Sequence, residues 1–194
     1  MLKLKNNKKT FIIAEIGPNH NGSLKKAYRF IDKLSFTGVD SVKFQLGDPD
    51  KIFSDDSFKA KYQNISMKKL KIKEISKRNQ LDRSDHLQLS KYCKKKKIIY
   101  SCSAFDLDSL IYLDKVINVS FFKIPSGEVY SLEMLKYLSK QKKPILISTG
   151  MVSLKKLKAI LKILKKNGND KIAIMHCVSA YPAKNKILNL NVIN

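Results

Sequence analysis

The chain has 194 residues, of which 43% are hydrophobic and 28% are charged, and this composition excludes the disordered class of protein. Its formal net charge of +23 would suit a nucleic-acid or acidic-membrane partner, yet only three of the 39 basic residues are arginine. Because arginine is the residue best suited to phosphate and base recognition, we expect a lysine-rich solvated surface and no nucleic-acid partner.

No segment of the sequence has the composition of a membrane-spanning or exported segment. Apolar runs stay well below the roughly 18 residues that a membrane span needs, and the first ten residues lack the apolar core of a signal peptide. The three cysteines, Cys93, Cys102 and Cys177, are scattered and lack the paired spacing of metal sites. We therefore expect reduced thiols, a cytoplasmic location and no membrane association.

The stretch FIIAEIGPNHNG, residues 11–22, sets a pattern that recurs along the chain. Its apolar start predicts a buried parallel strand that ends at Glu15, and the Gly, Pro, Asn and His residues after it predict a polar turn. Ser23 is placed to cap a helix over residues 24–37. The polar residues of this βα unit therefore stand at the carboxyl end of its strand.

The same order of strand, polar loop and helix recurs five more times. Further strands are predicted over residues 39–45, 98–103, 119–124, 145–149 and 171–177. Further helices are predicted over residues 66–78, 84–96, 107–115, 131–141 and 154–167. The pair Asp82 and Asp85 is typical of a capped helix start. Segment 47–63 is too long for a simple connection and is a candidate substrate loop, whereas residues 183–194 contain no predicted element.

Six βα units favour an α/β protein with a parallel sheet, of the (β/α)8 TIM-barrel type. A complete barrel of this type typically needs about 250 residues. We therefore expect residues 1–194 to form one domain that holds about six of the eight units, which is an incomplete barrel.

Polar side chains stand at or just after the predicted carboxyl ends of the strands, where the active sites of such barrels form. These residues are Glu15, Lys43, Gln45, Ser103, Lys123, Ser126, Glu128, Thr149, Ser179 and Tyr181. The lysines are suited to neutralise phosphate and carboxylate groups, the hydroxyls to orient them and the carboxylates to transfer protons. The pattern suggests a site for a small phosphorylated and carboxylated substrate.

Each of these features also has a purely structural interpretation. A lysine at a strand end is often solvated, Ser126-Gly127 could form only a turn, and Thr149-Gly150 could form only the approach to a helix. His20 and His176 could bind a metal, but no cluster of His, Asp or Glu stands at ligand spacing, so no metal site is predicted. His86 is expected on the exposed face of its helix.

Five motifs, in chain order, resemble those of the N-acetylneuraminate synthase family of sialic-acid-type synthases, which includes the legionaminic and pseudaminic acid synthases. They are FIIAEIGPNHNGS, VDSVKFQ, FFKIPSGE, PILISTGM and HCVSAYP. The resemblance covers about residues 11–192. It implies condensation of phosphoenolpyruvate with N-acetylmannosamine or a related hexosamine to give a nonulosonic acid and phosphate.

The resemblance also implies roles for residues in the first half of the chain. Glu15 matches the family glutamate near the reacting aldehyde, Lys43 matches the lysine that reaches phosphoenolpyruvate, and Gln45 matches the glutamine that reaches the sugar. Ser103 stands where the family commonly has threonine, so the hydroxyl is retained.

In the second half, three residues match the K-I-x-S-G-E motif, which contacts phosphoenolpyruvate. They are Lys123, Ser126 and Glu128, and the glutamate is the candidate for activating water. Tyr181 matches the motif tyrosine, and Ser179 stands where family members often have asparagine.

For the complete enzyme the resemblance implies a divalent metal, manganese or magnesium, that polarises the aldehyde while water adds at C2 and phosphate leaves. Its histidine ligands, an antifreeze-like domain and the contacts of a homodimer are expected beyond Asn194. On this basis we expect residues 1–194 to be a fragment or a truncated product that has no turnover alone and self-associates through open strand edges.

Two other functions fit parts of the pattern. Lys43 or Lys123 could act as the nucleophile of a Schiff-base aldolase, which borohydride trapping with pyruvate would distinguish from a synthase. The net charge is also compatible with a basic nucleic-acid-binding protein, whose binding to duplex DNA would fall steeply with salt. The scarcity of arginine and the pattern of strand ends argue against the nucleic-acid-binding protein.

Overall fold

The structure is a computed structural model that describes residues 10–54, 57 and 70–193 of the chain. The described residues divide into two compact units. The N-terminal unit lies within Lys8–Ser120, and the C-terminal unit lies within Phe121–Asn194. Each contains three parallel strands in its described part.

In the N-terminal unit the three strands lie side by side in chain order. They are β1 (Ile13–Glu15), β2 (Ser41–Leu46) and β3 (Ile99–Ala104). The helices are α1 (Leu24–Ser35), α2 (Pro49–Ile52), α3 (Ile72–Asn79), α4 (Arg83–Lys95) and α5 (Leu107–Tyr112), and a π-helical turn (Leu113–Ile117) follows α5.

The alternation of side chains along β2 and β3 separates an apolar face from a polar face. The apolar face includes Phe44 of β2, whose ring stacks on that of Tyr100 in β3 with 5.6 Å between their centroids. The polar face carries Ser41, Lys43 and Gln45 of β2 and Ser101 and Ser103 of β3. Helix α4 packs on the apolar face, so the polar face is the one available to a site.

Two helix starts form through the side chains that the sequence indicates. The hydroxyl of Ser23 accepts a hydrogen bond from the amide of Lys26 at 3.3 Å, which caps α1. The carboxylate of Asp82 accepts one from the amide of Asp85 at 2.8 Å, which caps α4. Both predicted caps are therefore confirmed.

The C-terminal unit repeats the parallel arrangement. Its strands are β4 (Phe122–Ile124), β5 (Ile145–Ser148) and β6 (Ile172–Met175), paired in chain order. Its helical segments are a 3₁₀ turn (Glu128–Tyr130), α6 (Leu132–Ser139), α7 (Leu154–Lys165) and two further 3₁₀ turns (Asn185–Ile187 and Leu190–Ile193). The core of this unit includes Phe122, Ile124, Ile145, Ile147, Leu138 and Leu164.

The predicted strands and helices are confirmed in type and order, and they differ at their ends. Strand β4 begins at Phe122 rather than at Val119, because the Val119 amide instead donates to the carbonyl oxygen of Leu113 at 3.1 Å and closes the preceding turn. Strand β1, predicted to be buried, is only half-buried. The longest described helix, α4, has 13 residues, and no described helix is long and apolar enough to cross a membrane.

Two segments were predicted in less detail than the structure shows. Segment 47–63, predicted as a loop, contains the short helix α2, and its residues 55, 56 and 58–63 lie outside the described part of the chain. The helix predicted over 66–78 corresponds to α3, and residues 66–69 also lie outside the described part. The segment 183–194, for which no element was predicted, contains the two 3₁₀ turns.

The prediction that His86 lies on the surface is wrong. His86 is fully buried in α4, and its Nδ1 lies 2.6 Å from the hydroxyl of Tyr100. Its Nε2 has no hydrogen-bond partner among the described residues. Burial, with a smaller effect from His20, lowers the pKa of His86 from 6.5 to about 4.

The buried His86 predicts a loss of stability in mild acid. Its pKa is 6.5 when unfolded and about 4 when folded, so the unfolded chain binds more protons between these values and the free energy of unfolding falls as the pH is lowered. Between pH 7 and pH 5 we expect a loss of about 2 kcal/mol from this residue. Urea unfolding at both pH values would measure it.

The matched variants are His86→Gln, which removes the buried imidazole, and His176→Gln, which removes an exposed one. The first should lose this part of the pH dependence and the second should retain it. An unchanged pH dependence in His86→Gln would contradict the prediction.

Candidate functional site

The polar face of the N-terminal unit holds four of the predicted site residues in direct contact. The ammonium of Lys43 forms an ion pair with the carboxylate of Glu15 and donates to the hydroxyl of Ser103 at 3.0 Å. The amide nitrogen of Gln45 lies 3.5 Å from the same carboxylate of Glu15. Glu15, Lys43, Gln45 and Ser103 therefore form one cluster, as the strand-end pattern predicts.

Strand register places these residues together. Glu15 is aligned with Lys43 across β1 and β2, and Gln45 is aligned with Ser103 across β2 and β3. Because side chains alternate along a strand, Lys43 and Gln45 project from the same face. The side chain of Lys43 is only 9% exposed and that of Glu15 is 49% exposed, so the ion pair joins a buried cation to a half-exposed anion.

Hydroxyl groups continue this polar face toward the amino ends of the strands. The hydroxyl of Ser41 donates to that of Ser101 at 3.0 Å, and Ser101 in turn donates to the carbonyl oxygen of Val42 at 3.0 Å. Both serines are fully buried. Both buried hydroxyls therefore have hydrogen-bond partners, and the part of the polar face on the amino-terminal side of Lys43 needs no further charged group.

The turn after β1 fits closely over this cluster. The amides of Ile16 and Gly17 both donate to the carbonyl oxygen of Lys43, at 2.9 and 3.1 Å. Gly17 has a φ of +50°, and a Cβ there would lie 3.1 Å from Oε1 of Glu15 and 3.3 Å from Nε2 of Gln45. Glycine is therefore needed both for the backbone conformation and for the space.

The loops that follow β2 and β3 are joined by carboxylates that the sequence reading did not select. Asp106 accepts hydrogen bonds from the amide of Asp48 at 2.8 Å and from the amide of Ser109 at 2.7 Å. Helix α2 is also tied to its surroundings by an ion pair between Lys51 and Asp108. The sequence indicates that Asp106 could cap the following helix, but it does not indicate the hydrogen bond from Asp48 in a second loop.

Asp50 extends these contacts from α2 to α3. Its carboxylate forms ion pairs with Lys73 at 3.0 Å and Lys77 at 2.7 Å. Hydrogen bonds from Lys77 and Lys73 lower the pKa of Asp50. Asp50 and Lys77 are exposed and Lys73 is half-buried, so these ion pairs position α2 without adding much stability.

The C-terminal unit contains a second buried lysine at a strand end. Lys123 is 7% exposed, and its ammonium donates to the hydroxyl of Ser148 at 2.7 Å and to the carbonyl oxygen of Ile124 at 3.1 Å. Ser148 was missed in the sequence reading. Its signal was available, because Lys123 is aligned with Leu146, and Ser148 comes two residues later on the same face of β5.

The same local arrangement occurs in both units. Lys43 is aligned with Ser101 and contacts Ser103, which also comes two residues after the aligned partner on the following strand. In each case a buried ammonium therefore lies under a serine hydroxyl nearer the carboxyl end of the sheet. Neither lysine is the solvated surface residue of the structural interpretation.

The remaining predicted site residues follow the strands of the C-terminal unit. Ser126 lies with Gly127 in a turn, and Glu128 begins the 3₁₀ turn, with its amide donating to the carbonyl oxygen of Pro125 at 3.1 Å. Ser126 and Glu128 are both half-buried. The turn interpretation of Ser126-Gly127 is thus correct for the backbone, and a binding role for Ser126 stays a prediction.

The loop after β5 contacts the last residue of β6 and the loop that follows it. The hydroxyl of Thr149 donates to the carbonyl oxygen of Met175 at 2.8 Å, and a side chain at Gly150 would collide with the hydroxyl of Ser179. Ser179 is exposed, and Tyr181 is 78% exposed. The structure therefore gives Tyr181 a surface position, and its predicted binding role stays untested.

The described residues do not form a metal site. They contain no group of three or more His, Cys, Asp or Glu side chains that could hold an ion. His20 is buried and its Nδ1 accepts a hydrogen bond from the amide of Gly22 at 3.1 Å, and Nε2 of His176 lies 2.6 Å from the carbonyl oxygen of Leu188. Burial raises the pKa values of Cys93 and Cys102 to about 12, so both thiols are protonated at neutral pH.

Parallel strands that alternate with helices and carry buried lysines near their carboxyl ends are typical of a parallel α/β protein of the barrel type. The NeuB family profile matches residues 30–194. The chain belongs to the NeuB family.

Individual relatives agree with this assignment. The N,N'-diacetyllegionaminic acid synthase of Campylobacter jejuni is 37% identical over 190 residues, which cover 96% of this chain and 56% of that protein. The N-acetylneuraminate-9-phosphate synthase of Drosophila melanogaster is 32% identical over 184 residues, which cover 95% of this chain and 49% of that protein. The chain thus spans about half the length of the curated relatives it matches.

A solved structure supports the fold class. The N-acetylneuraminic acid synthetase of Leptospira borgpetersenii, solved in complex with citrate, matches with a TM-score of 0.84 and 26% identity, over 99% of this chain and 64% of that one. The predicted α/β fold of the parallel barrel type is therefore confirmed, with six parallel strands in the described residues and at least one α-helix between each strand and the next. The prediction of a single domain over residues 1–194 stays a prediction.

Gly17 offers a test of how tightly the turn fits over the cluster. In Gly17→Ala the backbone keeps a positive φ and the new methyl group also has to displace the side chains of Glu15 and Gln45. We expect the free energy of unfolding to fall by more than the roughly 1 kcal/mol that a positive φ alone costs alanine. Urea denaturation would measure the loss.

The matched control is Gly38→Ala. Gly38 also has a positive φ, of +80°, but a Cβ there would meet no atom within 4 Å. If the free energy of unfolding falls no more in Gly17→Ala than in Gly38→Ala, the side chains of Glu15 and Gln45 move aside without a cost in stability, which would contradict the prediction.

Proposed function

We propose that this chain supplies substrate-binding and catalytic residues of a sialic-acid-type synthase. In the whole protein, phosphoenolpyruvate and N-acetylmannosamine or a related N-acetylated hexosamine would condense to a nonulosonic acid and phosphate. The observation that carries the proposal is the buried ammonium of Lys43, held between the carboxylate of Glu15 and the hydroxyl of Ser103 beside Gln45. The functions of the synthases that the chain resembles support it.

In the N-terminal unit we assign Lys43 to the anionic groups of phosphoenolpyruvate. Its ammonium is buried, so it provides a charge that solvent screens weakly, and the Ser103 hydroxyl fixes its direction. Gln45 has both a donor and an acceptor and is assigned to the polar groups of the sugar. Glu15, which is half-exposed, is assigned to proton transfer near the sugar aldehyde.

In the C-terminal unit we assign Lys123 and Ser126 to phosphoenolpyruvate. Lys123 is buried and is oriented by Ser148. Glu128 is assigned to activation of the water that adds at C2. Ser179 and Tyr181 are assigned to substrate contacts from the loop after β6. In the N-terminal unit, Ser103 is also assigned to substrate binding, beside Lys43.

The family resemblance implies a divalent metal, manganese or magnesium, which would act as a Lewis acid on the aldehyde. The described residues do not fit such an ion, because they offer no group of three ligands. We therefore assign no step of the reaction to a metal here. A cytoplasmic location and a homodimer are further parts of this proposal.

The anion-binding role is tested most directly at Lys123. In the protein expressed from the whole natural reading frame that contains this sequence, we expect Lys123→Met to weaken the binding of phosphoenolpyruvate by about tenfold or more, the usual effect of losing a charge-assisted hydrogen bond. Isothermal titration calorimetry would give the dissociation constants. Lys158→Met, on the exposed face of α7, is the control because it removes the same charge outside the site.

Equal affinity in Lys123→Met and Lys158→Met would contradict this role. A weakening of less than about 1 kcal/mol would be too small for a direct contact with the anion. Either result would remove Lys123 from the binding site.

The role of Glu128 is tested by turnover. In the protein expressed from the whole natural reading frame that contains this sequence, Glu128→Gln should lower the rate of phosphate release by about 10²-fold or more, the usual effect of losing a general base. The melting temperature should not change, because Glu128 is at the start of a loop turn and only half-buried.

The control is Glu133→Gln, which makes the same change in charge at an exposed position in the first turn of α6. It should retain the wild-type rate. A large fall in melting temperature with little change in rate would assign Glu128 to structure instead.

A further inference from the structure

We propose that Glu15 is the internal counter-ion of Lys43 and that an anionic substrate displaces it. Binding of the anion would therefore release the Glu15 carboxylate at the moment when the substrate is in place. The inference rests on the proposed function, since it concerns the same lysine, and it adds how that site is held ready in the absence of substrate.

A buried ammonium requires a negative charge close by. The side chain of Lys43 is 9% exposed, and transferring a charge from water to such a position is costly unless it is paired. Ser103 and the deeper pair of Ser41 and Ser101 are neutral hydroxyls. The carboxylate of Glu15 supplies the compensating charge through its ion pair with Lys43.

The backbone sets this pair in place. Glu15 and Lys43 are aligned partners in β1 and β2, and the two amides after Glu15 both donate to the carbonyl oxygen of Lys43. The absence of a side chain at Gly17 leaves the space that the Glu15 carboxylate occupies, since a Cβ there would lie 3.1 Å from Oε1. The pairing is therefore a property of the fold.

The two partners differ in how easily they can leave. The Glu15 side chain is 49% exposed, and its carboxylate accepts from the amide nitrogen of Gln45 only at the outer limit of a hydrogen bond, 3.5 Å. The carboxylate is therefore the partner that can turn toward solvent once another anion takes its place, whereas the ammonium of Lys43 is surrounded by protein. An incoming anion thus takes over the lysine and leaves Glu15 free.

This exchange has an electrostatic cost that can be measured. A phosphate or carboxylate group that approaches Lys43 meets the negative charge of Glu15 a few ångströms away. Removal of that charge should strengthen anion binding, although Glu15 is also assigned to the reaction. A residue that only contacts substrate would have the opposite effect when replaced, because its contact would be lost.

The experiment uses isothermal titration calorimetry to compare the binding of phosphoenolpyruvate and inorganic phosphate to the protein expressed from the whole natural reading frame that contains this sequence and to its variants. For Glu15→Gln we expect about tenfold tighter binding of both anions, the size of one unit charge removed at a few ångströms near a protein surface. Glu15→Ala is a second neutral variant, should glutamine at this position disturb folding. Circular dichroism melting would confirm that each variant is folded.

Two controls separate local charge from other causes. Glu15→Asp retains the negative charge and should bind like the wild-type chain. Glu133→Gln changes the net charge of the chain by the same amount at an exposed position on α6, and it should also bind like the wild-type chain. Tighter binding in Glu133→Gln would show a general charge effect and would overturn the inference.

The outcomes distinguish the inference from the proposed function. Phosphoenolpyruvate binding that is unchanged or weakened in the folded neutral variants would overturn the counter-ion role and leave the proposed function standing. Tighter binding of both anions, with no preference for phosphoenolpyruvate over phosphate in any variant, would support the counter-ion role and count against the proposed substrate. No binding of either anion to any variant would overturn both.

Discussion

The ammonium of Lys43, buried within a sheet, is the constraint on which the rest of the N-terminal unit depends. A charge in that position is tolerated only if a carboxylate and a hydroxyl surround it. Strand β1 must end at Glu15, β2 must be in register with it, and the turn that follows must begin with residues that leave room for the carboxylate. The sequence of the first βα unit satisfies these requirements together.

The C-terminal unit contains the same arrangement of a buried lysine and a serine hydroxyl on a second pair of strands. Lys123 is buried, and the hydroxyl that it contacts is again two residues beyond its aligned partner on the next strand. Both lysines emerge from strands whose opposite faces are apolar, with Phe44 beside Lys43 and with Phe122 and Ile124 beside Lys123. A parallel sheet thus offers a simple way to hold a cation inside a fold: one face packs the core, and a serine on the other face of the next strand accepts a hydrogen bond from the ammonium.

Most of the fold could be predicted from local pattern. Parallel strands buried on both faces have continuous apolar runs, and capping residues such as Ser23 and Asp82 mark where helices start. The ends of the strands were harder to predict. The amide of Val119 bonds to the carbonyl oxygen of Leu113 instead of extending β4, and this bond depends on the conformation of the preceding turn. The short helix α2 has too few residues for a periodic pattern to show.

The candidate site was predictable where strand alternation alone decides it, as for Lys43, Gln45 and Ser103. It was not predictable where a long-range contact decides it. His86 looks like a polar residue on an amphipathic helix, and only its packing against Tyr100 and Phe44 reveals that it is interior. The bond from the Asp48 amide to Asp106 likewise joins residues 58 positions apart, which no local pattern encodes.

Because two of the three cysteines are buried, the third can be labelled selectively with a spectroscopic probe. Cys93 and Cys102 are inaccessible and remain protonated at neutral pH, whereas Cys177 is half-buried just after β6. A thiol-reactive fluorophore should therefore attach first at Cys177, without any engineered mutation. The label would then lie two residues from Ser179 in the sequence, in the loop after β6. The loop after β5, which contains Thr149 and Gly150, lies next to it. Changes in its emission would report on this loop while substrates are added to the unmodified remainder of the chain.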